Sequence, residues 1–252
     1  MPDSSPDFAR VEAWTRRINA YAHTVHDFEI VGLNNLPRTG GALMVFYHSF
    51  AAIDVWMFGS AVYQQTNRLI RFLADRFLFY TPVLKDVVQW GGAVPGNRPD
   101  AIRMLQEGHL VGVAPGGVRE AIVPRHLHYQ VVWGERMGFA HVATQAHVDI
   151  IPIFIENSEE LLRAPGVQLP PFPQLYEMTR FPIVPIVGLG ALPFPVRLTA
   201  HVGAPIVFDP ARTPEQLRDL TRDRMQSLID DNQDRRRPRL LRAMLDRTRR
   251  RR

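Results

Sequence analysis

The apolar positions of this chain follow two spacings, one typical of amphipathic helices and one typical of short buried strands. Residues 8–25 repeat large apolar side chains every three to four positions, which predicts a helix near the N terminus. Short apolar runs predict strands over 28–32, 42–46, 69–74, 110–114, 150–155 and 197–202, and helical spacing predicts helices over 98–107, 135–146 and 213–232. The last helix has the clearest start, because Thr213 is a capping residue, Pro214 follows it and Gln216 completes a capping box.

Strands that alternate with helices predict an α/β fold. We expect a single domain with a central mixed, largely parallel sheet flanked by helices, preceded by an amphipathic N-terminal helix, and with any ligand site at the strand ends. The chain then divides into an N-terminal tail and helix (1–27), one α/β domain (28–232) and a C-terminal tail (233–252). The spacing of the N-terminal helix fits two placements, either in a membrane interface or packed on the core.

Two weakly charged stretches invite comparison with membrane spans. Residues 42–63 contain His48 and Asp54, and residues 181–196 contain four prolines that would interrupt a helix, so neither is a good transmembrane candidate. The second stretch is a candidate lipid-contacting surface, because a proline-rich apolar loop is unfavourable in water. Two buried strands joined by a turn are the alternative.

The amino-acid composition limits the kinds of catalytic and metal site that the chain can form. The 252-residue chain has 46% hydrophobic and 22% charged residues, as in ordinary globular proteins, and its start lacks the pattern of a secretory signal. Cysteine is absent, which excludes disulfides, thiolate catalysis and Cys-ligated metals. The pairs His126/His128 and His141/His147 lack a convincing third ligand, so no metal site is expected.

Positive charge is concentrated at the C terminus. Residues 235–252 hold ten Arg and one Asp, a charge of +9, whereas the whole chain carries only +5. Such a segment suits an anionic lipid surface or nucleic acid, and close to lipid each basic residue contributes roughly 1 kcal/mol. A solvated, frayed terminus is the alternative.

His48 and Asp54 are the first candidates for chemistry. His48 follows the strand predicted over 42–46, so it lies at the rim of the sheet, where sites form. An unbroken helix would turn about 600° over six residues and separate the two side chains. They meet only if the chain turns between them and Asp54 lies in the first turn of a helix, where an acidic group is favoured. A carboxylate that orients an imidazole leaves its other nitrogen free to accept the proton of an alcohol.

A second candidate feature is the turn around Pro115-Gly116-Gly117, which follows the strand predicted over 110–114. Adjacent glycines allow a ligand to approach the backbone closely, and exposed N–H groups bind an oxyanion or a phosphate. A plain tight turn is the alternative. The sequence lacks the Lys-Ser/Thr of a nucleotide P-loop, a dinucleotide fingerprint and the Gly-x-Ser-x-Gly of a serine hydrolase.

Five blocks of sequence, taken together, resemble a known family. Tyr47-His48 with Ile53-Asp54 comes first, and the others follow in the family's order: 74–79, 92–96, 114–120 and 150–153. They resemble the glycerolipid acyltransferase superfamily, which includes the lysophosphatidate acyltransferases, and most of all its monoacylglycerol/diacylglycerol acyltransferase-like branch. The resemblance covers about residues 28–232, so the α/β domain is identified as an acyltransferase domain.

The resemblance implies an enzyme that moves a fatty acyl group from acyl-CoA or acyl carrier protein to a glycerolipid hydroxyl, that of mono- or diacylglycerol. No cofactor, metal or acyl-enzyme is implied. His48 is then the base that deprotonates the hydroxyl, and Asp54 orients its imidazole. The other implied site residues bind substrate or the developing oxygen charge, with residues 181–196 as one possible lining of the acyl groove: Arg98, Gly116, Gly117, Arg119 and Glu120.

The chain departs from the superfamily's usual pattern at two places. Five residues separate His48 from Asp54, rather than the usual four, as in the branch with neutral acceptors. Gly116 stands where the superfamily's third block commonly has Glu, which puts a phosphorylated acceptor in doubt. Arg119 remains and suits a phosphate on the acceptor or on CoA.

Two other functions stay open. A lysophosphatidate or lysophospholipid acyltransferase would use the same chemistry, whereas a non-catalytic membrane- or nucleic-acid-binding protein would not need His48 paired with Asp54. We expect a peripheral protein on the cytoplasmic, inner face of the membrane, held to an anionic surface by residues 8–25 and the Arg-rich tail. Nucleic acid is not an expected partner, and the oligomeric state stays open.

Overall fold

The fold is taken from a computed structural model that describes residues 8–49, 52–80, 84–117, 120, 123–163, 174, 187–189, 192–236 and 239–249. The strands are β1 (Glu29–Val31), β2 (Ala42–Phe46), β3 (Ile70–Ala74), β4 (Val94–Pro95), β5 (Leu110–Val113), β6 (Ile150–Glu156) and β7 (Thr199–Val202). The helices are α1 (Phe8–His26), α2 (Ile53–Thr66), α3 (Phe77–Tyr80), α4 (Leu84–Trp90), α5 (Arg98–Gln106), α6 (Gly138–Ala146), α7 (Pro214–Asn232) and α8 (Arg239–Arg249). Single 3-10 turns cover Leu33–Asn35 and Ser158–Glu160.

These strands form one mixed sheet in the order β1-β7-β6-β2-β5-β3-β4. All neighbours are parallel except β6 and β7, which are antiparallel. The predicted α/β fold with a largely parallel sheet is therefore confirmed, and each predicted strand and helix is found within a few residues of its expected ends. In particular, Thr213 caps α7 through the predicted capping box with Gln216.

Both faces of the sheet are covered, which explains why β2 is a continuous apolar run. Ala42, Met44 and Phe46 face a core that includes the buried face of α2. Leu43 and Val45 face the opposite core, which includes apolar side chains of α5, α6 and α7. Because side chains alternate along a strand, the two residues after β2 also point to opposite sides of the sheet edge.

The N-terminal helix packs on the core. Helix α1 lies along α2, Val11 and Ala22 are buried, and the ring of Trp14 lies 6.4 Å from that of Trp90. Of the two placements that fit its spacing, the structure shows the packed one. Helix α1 therefore presents no apolar stripe that is free to enter a bilayer along residues 11–22.

The Arg-rich segment contains a helix that we did not predict. In α8, Ala243 is buried, and its carbonyl accepts a hydrogen bond from the Arg197 N–H at 3.0 Å. The side chain of Arg239 forms an ion pair with Glu160 at 3.2 Å, and both side chains are largely buried. Residues 239–249 are thus packed on the domain rather than frayed. Within the described part of the chain, each helix is too short or too polar to cross a bilayer.

Candidate active site

The carboxyl ends of five parallel strands meet at one edge of the sheet, and the predicted site residues gather there. His48 follows β2, Arg98 follows β4, and Gly116 follows β5. Arg76 follows β3 and Glu159 follows β6, so this edge also carries charged residues that the sequence prediction did not include. The placement agrees with the expectation that ligands bind at the strand ends of an α/β sheet.

The imidazole of His48 is held through its Nδ1 atom. This nitrogen lies 2.7 Å from the backbone carbonyl oxygen of Ser49. Because a carbonyl oxygen only accepts hydrogen bonds, the contact assigns the proton of the neutral ring to Nδ1 and leaves the Nε2 lone pair available. Burial lowers the pKa of His48 below its ordinary value of 6.5. The ring is therefore neutral near pH 7, as a base requires.

Asp54 lies where the sequence predicts it, in the first turn of α2. The residue before α2 is Ala52, whose backbone has the left-handed φ of 50°, uncommon for a residue with a side chain. The Ser49 hydroxyl donates a hydrogen bond of 2.6 Å to the Asp54 carboxylate. Burial raises the pKa of Asp54 to about 6.

Ser49 is therefore the residue that connects the two candidates. Among the hydrogen bonds of the described residues, none joins the His48 ring directly to Asp54; the ring contacts the Ser49 carbonyl and the carboxylate contacts the Ser49 hydroxyl. The task of fixing the ring tautomer, which sequence reasoning gave to Asp54, falls in this conformation to a backbone carbonyl. Ser49 was not among the residues predicted for the site.

Glu120 is turned inward. Its side chain is fully buried, and its two carboxylate oxygens accept hydrogen bonds from the backbone N–H groups of His48, at 3.3 Å, and Val132, at 3.1 Å. Burial raises the pKa of Glu120 to about 7. In this conformation the Glu120 carboxylate holds the backbone beside the candidate base, and its predicted contact with substrate stays a prediction.

The Gly116–Gly117 turn packs tightly against that carboxylate. A Cβ atom on Gly116 would lie 2.3 Å from a Glu120 carboxylate oxygen, so only glycine fits there. The N–H of Gly117 donates to the Ala114 carbonyl at 3.0 Å. In this conformation that donor is already used within the turn, and the N–H of Gly116 is the better candidate for binding oxygen charge. Arg119 lies outside the described residues.

A cavity of about 830 Å³ lies beside the turn. Three arginines line it, Arg76, Arg98 and Arg136, and they outnumber the two acidic residues of the lining, Asp75 and Glu135; apolar side chains such as Leu73 and Phe139 complete it. Arg98 is the first residue of α5, so the positive end of a helix adds to the field. The Arg136 guanidinium also donates to the carbonyls of Pro115, at 2.9 Å, and Gly116. The cavity suits an anionic group attached to an apolar one.

A buried polar network, which sequence reasoning missed, lies behind His48. The Tyr47 hydroxyl donates to Glu159 at 2.6 Å and accepts from the Tyr129 N–H at 2.9 Å. Burial raises the pKa of Glu159 to about 8, so this carboxyl is largely protonated at pH 7. His128 lies 3.7 Å from Glu159, and burial lowers its pKa to about 4. The one sequence signal was a pair of acidic residues directly after a strand buried on both faces.

Comparisons with known proteins agree with this architecture. A family model described as "Acyltransferase" matches residues 27–156, just over half of the chain. The chain is 39% identical over 216 residues to the Bos taurus protein named "DGAT1/2-independent enzyme synthesizing storage lipids", an alignment that covers 85% of this chain and 63% of the bovine one. The Homo sapiens protein of that name is 38% identical, with coverage of 85% and 64%.

The chain therefore spans less than two thirds of the length of these relatives. Among solved structures, the 1-acyl-sn-glycerophosphate (LPA) acyltransferase PlsC from Thermotoga maritima matches with a TM-score of 0.58 and 16% identity, over 89% of this chain and 79% of that one. At that identity the likeness concerns the fold. The family model and the fold confirm the resemblance seen in the sequence, and the chain belongs to the acyltransferase family.

Proposed function

We propose that this chain transfers a fatty acyl group from a thioester, acyl-CoA or acyl carrier protein, to the hydroxyl of a mono- or diacylglycerol. One observation carries the proposal: His48 stands at the carboxyl edge of the sheet with Nδ1 bound to the Ser49 carbonyl, which leaves Nε2 to accept a proton. The relatives named as storage-lipid enzymes support a neutral acceptor. The proposed reaction uses no cofactor.

In the proposed reaction the acceptor O–H gives its proton to Nε2 of His48 while its oxygen attacks the thioester carbonyl carbon. The C–O bond forms, the carbonyl oxygen becomes negatively charged, and the C–S bond then breaks. The leaving thiolate takes the proton back from the imidazolium, so the enzyme returns to its starting state. We propose that the N–H of Gly116 binds the transient oxygen charge, an interaction worth about 2.7–4 kcal/mol.

Asp54 has a positioning role in this proposal. Its carboxylate holds the Ser49 hydroxyl, and the Ser49 carbonyl holds the imidazole. A buried negative charge near the ring also stabilises the imidazolium that forms when Nε2 takes the proton. A direct contact between Asp54 and His48 remains part of the proposal for the state with substrate bound.

The arginine-lined cavity is the proposed site for the phosphate-bearing part of a substrate. With acyl-CoA as donor, Arg76 and Arg98 would meet phosphates of the CoA moiety, with Arg119 as a further candidate. The same arginines favour a second candidate function, the acylation of lysophosphatidate or another lysophospholipid, whose phosphate they would equally suit.

A panel of acceptors tests the proposal. Purified protein, given radiolabelled oleoyl-CoA and equal amounts of monoacylglycerol, diacylglycerol or lysophosphatidate in mixed micelles, is expected to label a neutral lipid preferentially. Thin-layer chromatography identifies the product. Preferential labelling of phosphatidate would establish the second candidate function instead, and no labelled lipid from either donor, oleoyl-CoA or oleoyl-acyl carrier protein, would refute both.

Glu120 is expected to act on turnover rather than on substrate affinity. Glutamine supplies only one acceptor oxygen for the two N–H donors, so Glu120→Gln loses one of the two hydrogen bonds and Glu120→Ala loses both. We expect kcat to fall about tenfold for the Gln variant and further for the Ala variant, consistent with about 1.4 kcal/mol for a lost charge-assisted bond. Michaelis–Menten kinetics at varied oleoyl-CoA separate the effects. A raised KM with unchanged kcat would restore Glu120 to substrate binding.

We place the protein at the cytoplasmic, inner face of a membrane as a peripheral enzyme, because its proposed acceptors have acyl chains that reside in bilayers. The family requires an acyl donor and an acceptor. The anionic membrane surface is a further proposed partner, supported by the charge of +9 over residues 235–252.

A further inference from the structure

Four leucines are exposed to solvent on two elements that each contact residues 158–163. Leu241 and Leu245 on α8 are 54% and 44% exposed, and Leu189 and Leu192 on a short bridged turn are 61% and 59% exposed. We call these four residues the leucine surface. Single exposed leucines are normal on proteins, whereas a cluster on adjacent elements is typical of a binding surface.

Both elements are attached to the same segment, residues 158–163. Arg163 exchanges two backbone hydrogen bonds with Val187, of 2.9 and 2.7 Å, which fixes the turn that carries Leu189 and Leu192. Three residues earlier, Glu160 forms its ion pair with Arg239 at the start of α8. Both elements that carry the leucine surface are therefore attached to the short segment that follows strand β6.

Helix α8 has apolar side chains on both of its sides. Ala243 is buried, and Leu240 and Met244 pack against the core. Leu241 and Leu245 are one turn apart and point the other way. The core accounts for the inner side, whereas about half of each outer leucine side chain remains exposed to solvent.

The charge around these leucines indicates their partner. Ten arginines and one aspartate occupy residues 235–252. Arg242, on α8 beside the outer leucines, is partly exposed and forms a long ion pair with Asp234 at 4.0 Å. An apolar surface bordered by arginines fits a bilayer with anionic headgroups, into which the leucines insert while the guanidinium groups bind phosphates.

We infer that α8 and the turn that carries Leu189 and Leu192 form the face of this protein that docks on an anionic lipid bilayer. The inference rests on the proposed function only for its biological role, which is to bring the domain to its acceptor lipid. The surface itself is inferred from the exposure of the leucines and the charge of the arginines. It replaces α1 as the anchor that the sequence suggested, because the apolar stripe of α1 is used against α2.

Sedimentation with vesicles, without any acyl donor, tests the inference. The vesicles contain phosphatidylcholine and about 30 mol% phosphatidylglycerol. About a third of their lipids are therefore anionic, which gives the surface a strong negative potential. Wild-type protein is expected to bind them more tightly than vesicles of phosphatidylcholine alone, and to bind less as salt rises, because exposed charges are screened over about 8–10 Å. The double variant Leu241→Ser/Leu245→Ser should partition at least about tenfold more weakly, about 1.4 kcal/mol.

The control variant is Val207→Ser, which removes an equally exposed apolar side chain, 66% exposed, outside the leucine surface. It should bind as the wild type does. Equal binding by the double leucine variant would overturn the inference, as would wild-type protein that binds neither vesicle type. Binding of a DNA or RNA oligonucleotide in place of vesicles would overturn it too, in favour of nucleic acid.

Turnover on a short-chain, water-soluble monoacylglycerol separates this inference from the proposed function. The double leucine variant should retain wild-type turnover on that acceptor and lose it only on acceptor embedded in vesicles. Absence of turnover in every protein, together with leucine-dependent vesicle binding, would refute the proposed function and leave the docking surface standing. Equal loss on both acceptors would mean that the leucines act in folding, which circular dichroism would reveal.

Discussion

Replacement of His48 by alanine is expected to lower acyl transfer by about 10²–10⁴-fold, the usual contribution of a positioned general base. The Ser49 carbonyl and the Glu120 carboxylate would keep the backbone of the site, since Glu120 binds the backbone N–H of His48 and not its ring. The loss should therefore appear in kcat, with little change in KM for oleoyl-CoA. A single-turnover assay with labelled oleoyl-CoA and the preferred acceptor measures it directly.

The matched control is His109→Ala, a half-exposed histidine on the surface. It should leave turnover and thermal unfolding unchanged. In the same series Asp54→Asn should cost less than His48→Ala, and the double variant should be no slower than His48→Ala alone, because residues that act as a unit are not additive. Turnover by His48→Ala at the wild-type rate would refute the mechanism, whatever the fold of the variant.

The pH dependence of kcat in the same assay follows from the direction of the pKa shift of His48. Because burial lowers the pKa of His48, its Nε2 stays unprotonated below the pH at which a free imidazole would titrate, 6.5. The part of the acidic limb of kcat that belongs to His48 should accordingly have its midpoint below that value, and it should be absent from the residual rate of His48→Ala.

Residues close in sequence were predictable, because local rules fix them. The position of His48 at the sheet edge follows from the apolar strand before it. The position of Asp54 in the first turn of α2 follows from the preference of the positive helix N terminus for an acidic residue, and from the small residues that lie between His48 and Asp54. The left-handed backbone of Ala52 was not predictable, since a non-glycine residue adopts it only where the surrounding structure compensates for the cost.

Contacts between distant parts of the chain were out of reach of the sequence. Glu120 is 72 residues from His48, and Glu159 is 112 residues from Tyr47, so neither hydrogen bond leaves a local pattern. The charge of the Arg-rich segment predicts a tail. Its apolar positions 240, 243 and 244, however, have the spacing of a helix face. A strongly basic C-terminal segment can therefore also contain a helix that packs on the domain.

The largest effect on stability is expected at Glu159, whose buried carboxyl has a pKa of about 8 against an ordinary 4.5. The unfolded chain releases this proton near pH 4.5, whereas the folded protein retains it up to about pH 8. Between those values the folded state binds more protons, so each rise in pH favours unfolding. From pH 7 to 8 the free energy of unfolding should fall by about 1 kcal/mol, given 1.36 kcal/mol per fully titrated unit.

This interval isolates Glu159 from the other buried groups. The carboxyls of Asp54 and Glu120 act in the same direction, but their windows end near pH 6 and pH 7. The buried imidazoles of His26 and His128 have pKa values of about 4. Their effect on the free energy of unfolding has the opposite sign, and it is confined to pH values below 6.5. Any remaining slope from pH 7 to 8 therefore belongs mainly to Glu159.

Glu159→Gln should remove that slope. The glutamine oxygen still accepts the Tyr47 hydroxyl, as the protonated carboxyl does, but the amide does not titrate. Urea unfolding at pH 7.0, 7.5 and 8.0 measures the effect, and about 1 kcal/mol corresponds to a shift in Tm of about 2–4 °C for a domain of this size. The control Glu107→Gln alters a half-exposed carboxylate and should keep the wild-type slope. A wild-type stability that rises over this interval, or an unchanged slope in Glu159→Gln, would show that Glu159 is ionised at neutral pH, and the Tyr47–Glu159 hydrogen bond would then place a buried negative charge behind His48.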